Sequence, residues 1–188
     1  MRLFIAVEID RQKLDALGEL QKQLRSEADV RGGDVKWVSP QNMHLTLKFL
    51  GEIDEGKLSE ISAITEKVAA SHKSFGLSMQ SVGWFGGKSA TVLWVGAGAG
   101  ANELLALQKD LEAQLALAGW PAEDRPFSCH LTIARVKNHK AGLKLAQLAE
   151  QYKNFEPGTL SVDSLSVYKS QLTPTGPVYT LLGNYKLK

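Results

Sequence analysis

The chain has one cysteine, Cys129, and almost no net charge. Its 188 residues include 22 basic and 20 acidic side chains, which leave a formal net charge of +2. A single cysteine excludes an intrachain disulfide and a cysteine-rich zinc site, and it is typical of a cytoplasmic protein. The small net charge creates no long-range field for a polyanion, so any nucleic acid must be bound through local contacts.

Long apolar segments are also absent. The first apolar run, residues 3–7, is interrupted by Glu8 and Asp10 before it reaches the length of a signal-peptide core or a membrane span. We therefore expect no membrane anchor and a cytoplasmic location. With 44% apolar residues, a chain of this length is sufficient for one compact core and too short for two ordinary domains.

Hydrophobic periodicity predicts four helices and seven or eight extended segments. Helices are predicted after Asp10, after Asp54, over residues 102–118 and around residues 145–152. Extended segments are predicted at residues 3–7, 35–38, 43–50, 75–84, 90–95, 129–136, 159–169 and 178–186, with a turn at residues 174–177.

The order of these elements in the second half of the chain repeats that of the first half. We therefore predict an α+β fold of two similar lobes related by an approximate two-fold axis. Each lobe is expected to be an antiparallel sheet with helices on its outer face, and the active-site cleft is expected between the lobes. Residues 1–188 would then form a single bilobal domain, which we expect to be a monomer.

The strongest internal repeat is a His-x-Thr-x motif that occurs once in each half, as His44-Leu45-Thr46-Leu47 and as His130-Leu131-Thr132-Ile133. Side chains alternate along a strand, so the histidine and threonine of each motif share one face while the apolar residues enter a core. An approximate two-fold axis would bring both polar faces together across the cleft.

Two histidines facing one substrate are suited to cleavage of a phosphodiester. A neutral imidazole accepts a proton from the attacking water, and an imidazolium donates one to the leaving oxygen. The hydroxyls of Thr46 and Thr132 are positioned to stabilise charge on the phosphate oxygens. A single His-x-Thr on a strand is more often structural, but two copies in matching contexts favour catalysis. The pattern alone does not assign the acid and the base.

Residues 37–51 and 125–135, which contain the two motifs, resemble the corresponding segments of the 2H phosphoesterases, and among them the bacterial RNA 2′,3′-cyclic phosphodiesterases of the 2′-5′ RNA ligase family. Residues 2–7 and 164–170 are similar to family features as well. The family often has proline where this chain has Cys129.

The resemblance implies hydrolysis of a 2′,3′-cyclic phosphate at an RNA end to a 2′-phosphate, without a metal or other cofactor. It implies that His44 is the proton donor and His130 the proton acceptor. It further implies that the same site joins RNA ends by a 2′-5′ linkage without ATP.

Several other residues are candidates for substrate contacts. Lys48 is an even number of residues from His44 and Thr46, so regular alternation places it on their face of the strand. It is therefore a candidate phosphate ligand. Arg135, which the resemblance favours at the phosphate, follows His130 by five positions, so it would need a bulge to face the cleft. Three aromatic residues are candidates to stack on a base, namely Trp37, Phe127 and Tyr179. Neither motif has a second metal ligand at i+2 or i+4, so we expect no metal site.

Two alternative functions remain open from the sequence. The same site would act on another cyclic phosphate, such as ADP-ribose 1″,2″-cyclic phosphate or a free nucleoside cyclic phosphate. A non-catalytic module would use the two histidines only to bind the phosphate at an RNA end.

Overall fold

The computed structural model describes residues 1–174 and 176–188. In these residues the strands are β1 Arg2–Glu8, β2 Val35–Trp37, β3 His44–Glu52, β4 Phe75–Phe85, β5 Val92–Ala97, β6 His130–Val136, β7 Gly158–Val162, β8 Ser164–Thr173 and β9 Gly176–Lys186. The helices are α1 Arg11–Ala28, α2 Leu58–Ser71, α3 Ala101–Leu117 and α4 His139–Ala149. Short 3-10 turns occur at Pro40–Asn42, Glu55–Lys57 and Glu150–Tyr152.

The strands form two antiparallel sheets. The four-stranded sheet has the order β3-β1-β8-β9, and the five-stranded sheet has the order β2-β6-β5-β4-β7. Helix α2 packs against β8 and β9, while α4 packs against β4 and β6 and is covered by α1. Helix α3 packs on α2 and also contacts β3 and β4, so it connects the two sheets. The predicted α+β fold with two sheet-and-helix lobes is confirmed.

Two of the four helices, α1 and α4, begin at a residue whose side chain caps them. The carboxylate of Asp10 accepts a hydrogen bond of 3.1 Å from the Lys13 amide, which satisfies one of the free donors at the start of α1. Asn138 caps α4 in the same way. Asp54, predicted to cap the second helix, instead caps the preceding 3-10 turn at Gly56.

Each lobe combines strands from both halves of the chain. Strands β1 and β3 pair with β8 and β9, whereas β4 and β5 pair with β6 and β7. Residues 159–169, predicted as one extended segment, form two strands that separate at Asp163 and belong to different sheets. The exposed Asp163 accepts hydrogen bonds from the side chains of Ser164 and Lys186 at the crossing point.

Both sheets bury one face in a continuous core. Leu3, Ile5 and Val7 on β1 and Leu93 and Val95 on β5 belong to the same cluster of buried apolar side chains. None of the helices in the described residues is both long and apolar enough to cross a lipid bilayer. The turn predicted at residues 174–177 includes Thr175, which lies outside the described residues.

Candidate active site

The two His-x-Thr-x motifs lie on corresponding strands of the two sheets. His44 begins β3, which pairs with β1, and His130 begins β6, which pairs with β5. Read outward from the histidine strand, the orders β3-β1-β8-β9 and β6-β5-β4-β7 match, and β2 is an additional edge strand. The expected repeat is therefore present in the sheets themselves.

A β-bulge interrupts both histidine strands at the same position. Thr46 pairs with Ala6 and Lys48 with Ile5, so Leu47 is an extra residue on β3. In β6, Thr132 pairs with Trp94 and Ala134 with Leu93, so Ile133 is the extra residue. Each bulge directly follows the threonine of its motif, where it reverses the alternation of the side chains that come next.

A buried glutamine from a helix reaches the carbonyl group of each bulge residue. Gln21 of α1 donates from Nε2 to the oxygen of Ile133 at 2.7 Å and to that of Val38 at 2.7 Å. Gln108 of α3 points its Nε2 at the oxygen of Leu47, at 3.5 Å. Gln21 and Gln108 are only 4% and 3% exposed, so their side-chain amides contact other protein groups and not solvent.

The bulges determine which later residues face the cleft. Arg135 is exposed on the same side as His130 and Thr132. The extra residue Ile133 shifts the alternation by one position, which turns Arg135 to that side. Lys48 turns toward the interior instead, and only 3% of it is exposed. The sequence predicted Lys48 on the same face as His44 by regular alternation, and this alternation is interrupted at Leu47.

The ammonium group of Lys48 has two partners in the protein. Its Nζ lies 2.7 Å from Oε1 of Glu112 and 2.7 Å from the carbonyl oxygen of Pro121. Burial alone would raise the pKa of Glu112, but hydrogen bonds from Lys48, from the Glu123 amide and from Gln108 together lower it. This network holds the loop after α3 against β3, and a phosphate-binding role of Lys48 stays an untested prediction.

All nine residues singled out from the sequence line one cleft of about 1120 Å³ between the lobes. They are His44, Thr46 and Lys48 from β3, His130, Thr132 and Arg135 from β6, and Trp37, Phe127 and Tyr179. Both threonines are half-buried, as are both histidines. The cleft thus brings the two motifs to one space.

Aromatic rings enclose His44. Phe4 stacks on it with ring centroids 4.5 Å apart, and Tyr179 meets it edge-on at 5.1 Å. Burial lowers the pKa of His44 to about 4, while a hydrogen bond with the backbone of Asn42 acts in the opposite direction. The imidazole of His44 is consequently neutral at pH 7 when the cleft holds no anion.

His130 is oriented by a backbone group. Its Nδ1 lies 2.8 Å from the carbonyl oxygen of Ser128, and since a carbonyl only accepts, Nδ1 carries the proton. The neutral ring then has its free electron pair on Nε2. Phe85 contacts the ring edge-on at 5.0 Å, and Trp94 lies 6.5 Å away.

The three aromatic residues predicted to stack on a base differ in their surroundings. The guanidinium of Arg25 lies 5.0 Å from the ring centroid of Trp37 and occupies one of its faces. Tyr179 contacts both His44 and Phe4 edge-on. Phe127 is half-buried in the cleft wall.

Sequence reasoning missed the rings of Phe4, Phe85 and Trp94 beside the histidines, and the two glutamines. Phe4 lies in a run of five consecutive buried residues, so nothing in its pattern separates it from the core. The glutamines did leave a signal. Gln21 and Gln108 each sit four residues after a buried leucine, within the apolar stripe of their helix.

Metal ligands are not grouped in this cleft. In residues 1–174 and 176–188, no three histidine, cysteine, aspartate or glutamate side chains come together as a metal site would require. Burial raises the pKa of Cys129, next to His130, to about 11, so its thiol is protonated at neutral pH.

The fold and the cleft together define a class of protein. Two lobes, each with a His-x-Thr-x strand facing a common cleft, are the arrangement of the two-histidine (2H) phosphoesterases. Residues 16–174 match the family model of the 2′-5′ RNA ligase superfamily, and the chain belongs to that superfamily.

Relatives and solved structures agree with this assignment. A protein of Methanothermobacter thermautotrophicus named RNA 2′,3′-cyclic phosphodiesterase is 34% identical over 188 residues, covering 100% of this chain and 99% of its own. One of the same name from Thermotoga maritima is 37% identical over 183 residues, covering 97% and 93%.

The crystal structure of TT0787 of Thermus thermophilus is 31% identical, with a TM-score of 0.81 and coverage of 100% of this chain and 98% of that one. E. coli LigT complexed with 3′-AMP has the same TM-score of 0.81 at 22% identity, with coverage of 100% and 98%, and shows the fold alone.

Proposed function

We propose that the chain hydrolyses RNA 2′,3′-cyclic phosphate ends to 2′-phosphate ends. The observation that carries this proposal is the pair of matched, bulged strands that present His44 and His130 to one cleft. The substrate class comes from the relatives, which are named RNA 2′,3′-cyclic phosphodiesterases. Their similarity extends over almost the whole chain.

In the proposed mechanism, Nε2 of His130 accepts a proton from a water molecule that attacks phosphorus. The new bond joins phosphorus to the water oxygen, and the bond to the 3′ oxygen breaks. His44 donates a proton to that leaving oxygen, which becomes the 3′ hydroxyl. Each proton transfer is worth about 10²- to 10⁴-fold in rate. Thr46, Thr132 and Arg135 bind the non-bridging oxygens as charge develops there.

The donor role requires His44 to be protonated, although burial lowers its pKa to about 4 in the empty cleft. A bound phosphodiester carries a negative charge, and a nearby opposite charge favours the imidazolium. Substrate binding is therefore accompanied by proton uptake at His44. The enzyme then holds its acid in the charged form only while the substrate is present.

A ribose 5′ hydroxyl in place of water would give a 2′-5′ linkage. The strained cyclic phosphate supplies the energy, so this joining reaction needs no ATP. We propose it as a secondary activity of the same site, in keeping with the name of the superfamily.

We further propose that residues 1–188 act as one bilobal monomer in the cytoplasm. Both histidines come from a single chain, so the mechanism needs no second copy. The single cysteine is compatible with a reducing compartment.

The test is to incubate a short RNA bearing a 2′,3′-cyclic phosphate with the protein in the presence of EDTA and to identify the product. A 2′-phosphate supports the proposal, and His44→Ala and His130→Ala should each remove most of the turnover. A 3′-phosphate would reverse the leaving group. The absence of any reaction would favour the non-catalytic RNA-end binding module, and full activity in either variant would refute the two-histidine mechanism.

A further inference from the structure

Beyond the histidines and threonines, the two sheets present rows of side chains that differ in charge. Phe49 and Arg135 follow their own histidines by the same number of residues, and the bulges turn both toward the cleft. Cross-strand register defines an apolar row on the four-stranded sheet, made of Phe49, Phe4, Tyr168 and Leu181. On the five-stranded sheet it defines the row Lys36, Arg135, Val92 and Phe85, which we call the basic row because its first two members are adjacent cations.

The apolar row is open to solvent at both ends. Phe49 is 57% exposed and Leu181 is 49% exposed, although both are large apolar side chains. The ring of Phe49 lies 6.0 Å from that of Phe4, which in turn stacks on His44. A path of aromatic rings therefore leads from the catalytic histidine to an exposed phenyl ring.

The basic row has cations without acidic partners. Lys36 and Arg135 are direct neighbours on adjacent strands, and both line the cleft. Within residues 1–174 and 176–188, neither side chain has a carboxylate within 4.0 Å, and the same is true of Arg2 on the opposite sheet. The cross-strand neighbour of Arg2, Glu52, lies 3.7 Å from the N-terminal ammonium instead.

The phenol of Tyr179 is influenced by cations from both lobes. Burial raises the pKa of its phenol, while the guanidinium groups of Arg135 and Arg2 oppose this shift. Tyr179 also shares a cross-strand row with Ser170 and Arg2. The cross-strand row places Arg2 on the same face of the four-stranded sheet as Tyr179, while Arg135 belongs to the other sheet, so the cations that affect this phenol come from both lobes.

A single RNA strand has the same two-sided character, since its bases are apolar on their faces and its phosphates are anionic. Sequence-tolerant binding of single strands combines stacking on aromatic side chains with a basic groove along the backbone. We propose that the two rows bind the single-stranded RNA on the 5′ side of the cyclic phosphate, with a base on Phe49 and backbone phosphates on Lys36 and Arg2.

This inference rests on the proposed function and makes it more specific. A free cyclic mononucleotide lacks the upstream phosphates, so it uses the histidines, threonines and Arg135 but neither Lys36 nor Arg2. The preferred substrate is thus the end of an RNA chain rather than a nucleotide.

The experiment compares kcat/KM for a cyclic mononucleotide and for a short single-stranded RNA with the same cyclic 3′-terminal nucleotide. The variants are Lys36→Gln, Arg2→Gln and Phe49→Ser. Their matched controls are Lys140→Gln, at an exposed lysine on α4, and Leu117→Ser, at a leucine of α3 that is 85% exposed. Thermal unfolding of each variant verifies that the fold is retained.

We expect Lys36→Gln and Arg2→Gln to lower kcat/KM for the RNA about threefold to tenfold and to leave the mononucleotide unchanged. Each should also reduce the slope of log(kcat/KM) against log[salt] by about 0.7, the value for one phosphate contact to a single strand. Phe49→Ser should lower the value for the RNA about tenfold or more. Both controls should resemble the unmodified protein.

Equal losses on both substrates in the lysine and Arg2 variants, or no loss on either, would overturn the inference. Failure of the proposed function is a separate result, because the unmodified protein would then cleave neither substrate. In that case, the affinity of each variant for an RNA with a 2′-phosphate end, measured by fluorescence anisotropy, still tests whether the rows bind RNA. Equal affinity of Lys36→Gln, Arg2→Gln and the unmodified protein would again overturn the RNA-binding rows.

Discussion

The side-chain amide of Gln21 donates a hydrogen bond of 2.7 Å to the carbonyl oxygen of Ile133, the extra residue in the bulge of β6. The same amide nitrogen reaches the carbonyl oxygen of Val38 at 2.7 Å. Helix α1 therefore contacts the bulge that turns Arg135 to the side of His130. Gln108 stands in the corresponding relation to Leu47.

Replacing Gln21 with methionine should lower kcat more than it raises KM. Methionine fills the same volume but donates no hydrogen bond, so the carbonyl oxygen of Val38 loses this donor and that of Ile133 keeps only the amide of Val38, at a cost of about 1 to 3 kcal/mol. A small displacement of His130 costs up to about 10²-fold in rate. Steady-state kinetics and urea unfolding measure the two effects. Gln12→Met, at an exposed position of the same helix, should change neither, and a normal kcat in Gln21→Met would contradict the positioning role.

The assignment of acid and base predicts different responses to the leaving group. A nitrophenyl leaving group needs no proton, so an acid is dispensable while the base is still required. With a linear nitrophenyl phosphodiester, His44→Ala should keep most of its activity and His130→Ala should lose it. The cyclic RNA end is the matched substrate on which both variants fail. The reverse pattern would exchange the two roles.

Stability should depend on pH through His44. Its pKa in the folded protein is about 4, below the ordinary value near 6.5, so the unfolded chain binds this proton more readily. The free energy of unfolding should therefore fall as the pH drops from about 6.5 to about 4, by roughly 3 kcal/mol, and this term changes no further below that range. Urea unfolding at pH 7 and pH 4.5 tests it. His44→Gln should show a smaller loss, and an identical loss would place the effect elsewhere.

The ion pair of Lys48 and Glu112 should show strong coupling. Their side chains are 3% and 17% exposed, so Lys48→Met leaves a largely buried carboxylate without its cation. We expect a loss of about 3 kcal/mol in the single variant and a much smaller loss in Lys48→Met/Glu112→Met. Urea unfolding of the four proteins gives the coupling energy. Additive losses would mean that Lys48 and Glu112 do not stabilise each other.

Much of the site was predictable because it depends on residue identity and on simple alternation. The histidines, the threonines and their common face follow from two short motifs on strands. Beyond the threonines, alternation fails at Leu47 and Ile133, because a bulge depends on pairing with a neighbouring strand. The sequence therefore did not predict that Lys48 is buried and paired with Glu112, and it placed Arg135 in the cleft only on condition of a bulge.

The assignment of strands to sheets was less predictable for a related reason. Nothing local distinguishes a strand that continues from one that crosses to another sheet, and Asp163 is the only residue between β7 and β8. The crossing is determined by pairing with β4 on one side and with β1 on the other. Both partners lie far away in the sequence.

The exchange of strands between the halves also constrains how the cleft is assembled. The sheet that carries His44 is incomplete until β8, from residues 164–173, lies beside β1. Neither half of the chain contains all the strands of its own lobe, so each histidine strand needs strands from the other half to complete its sheet. The repeat in the sequence is consequently not a pair of separable modules, and a protein cut between β5 and α3 should recover activity only when both fragments are mixed.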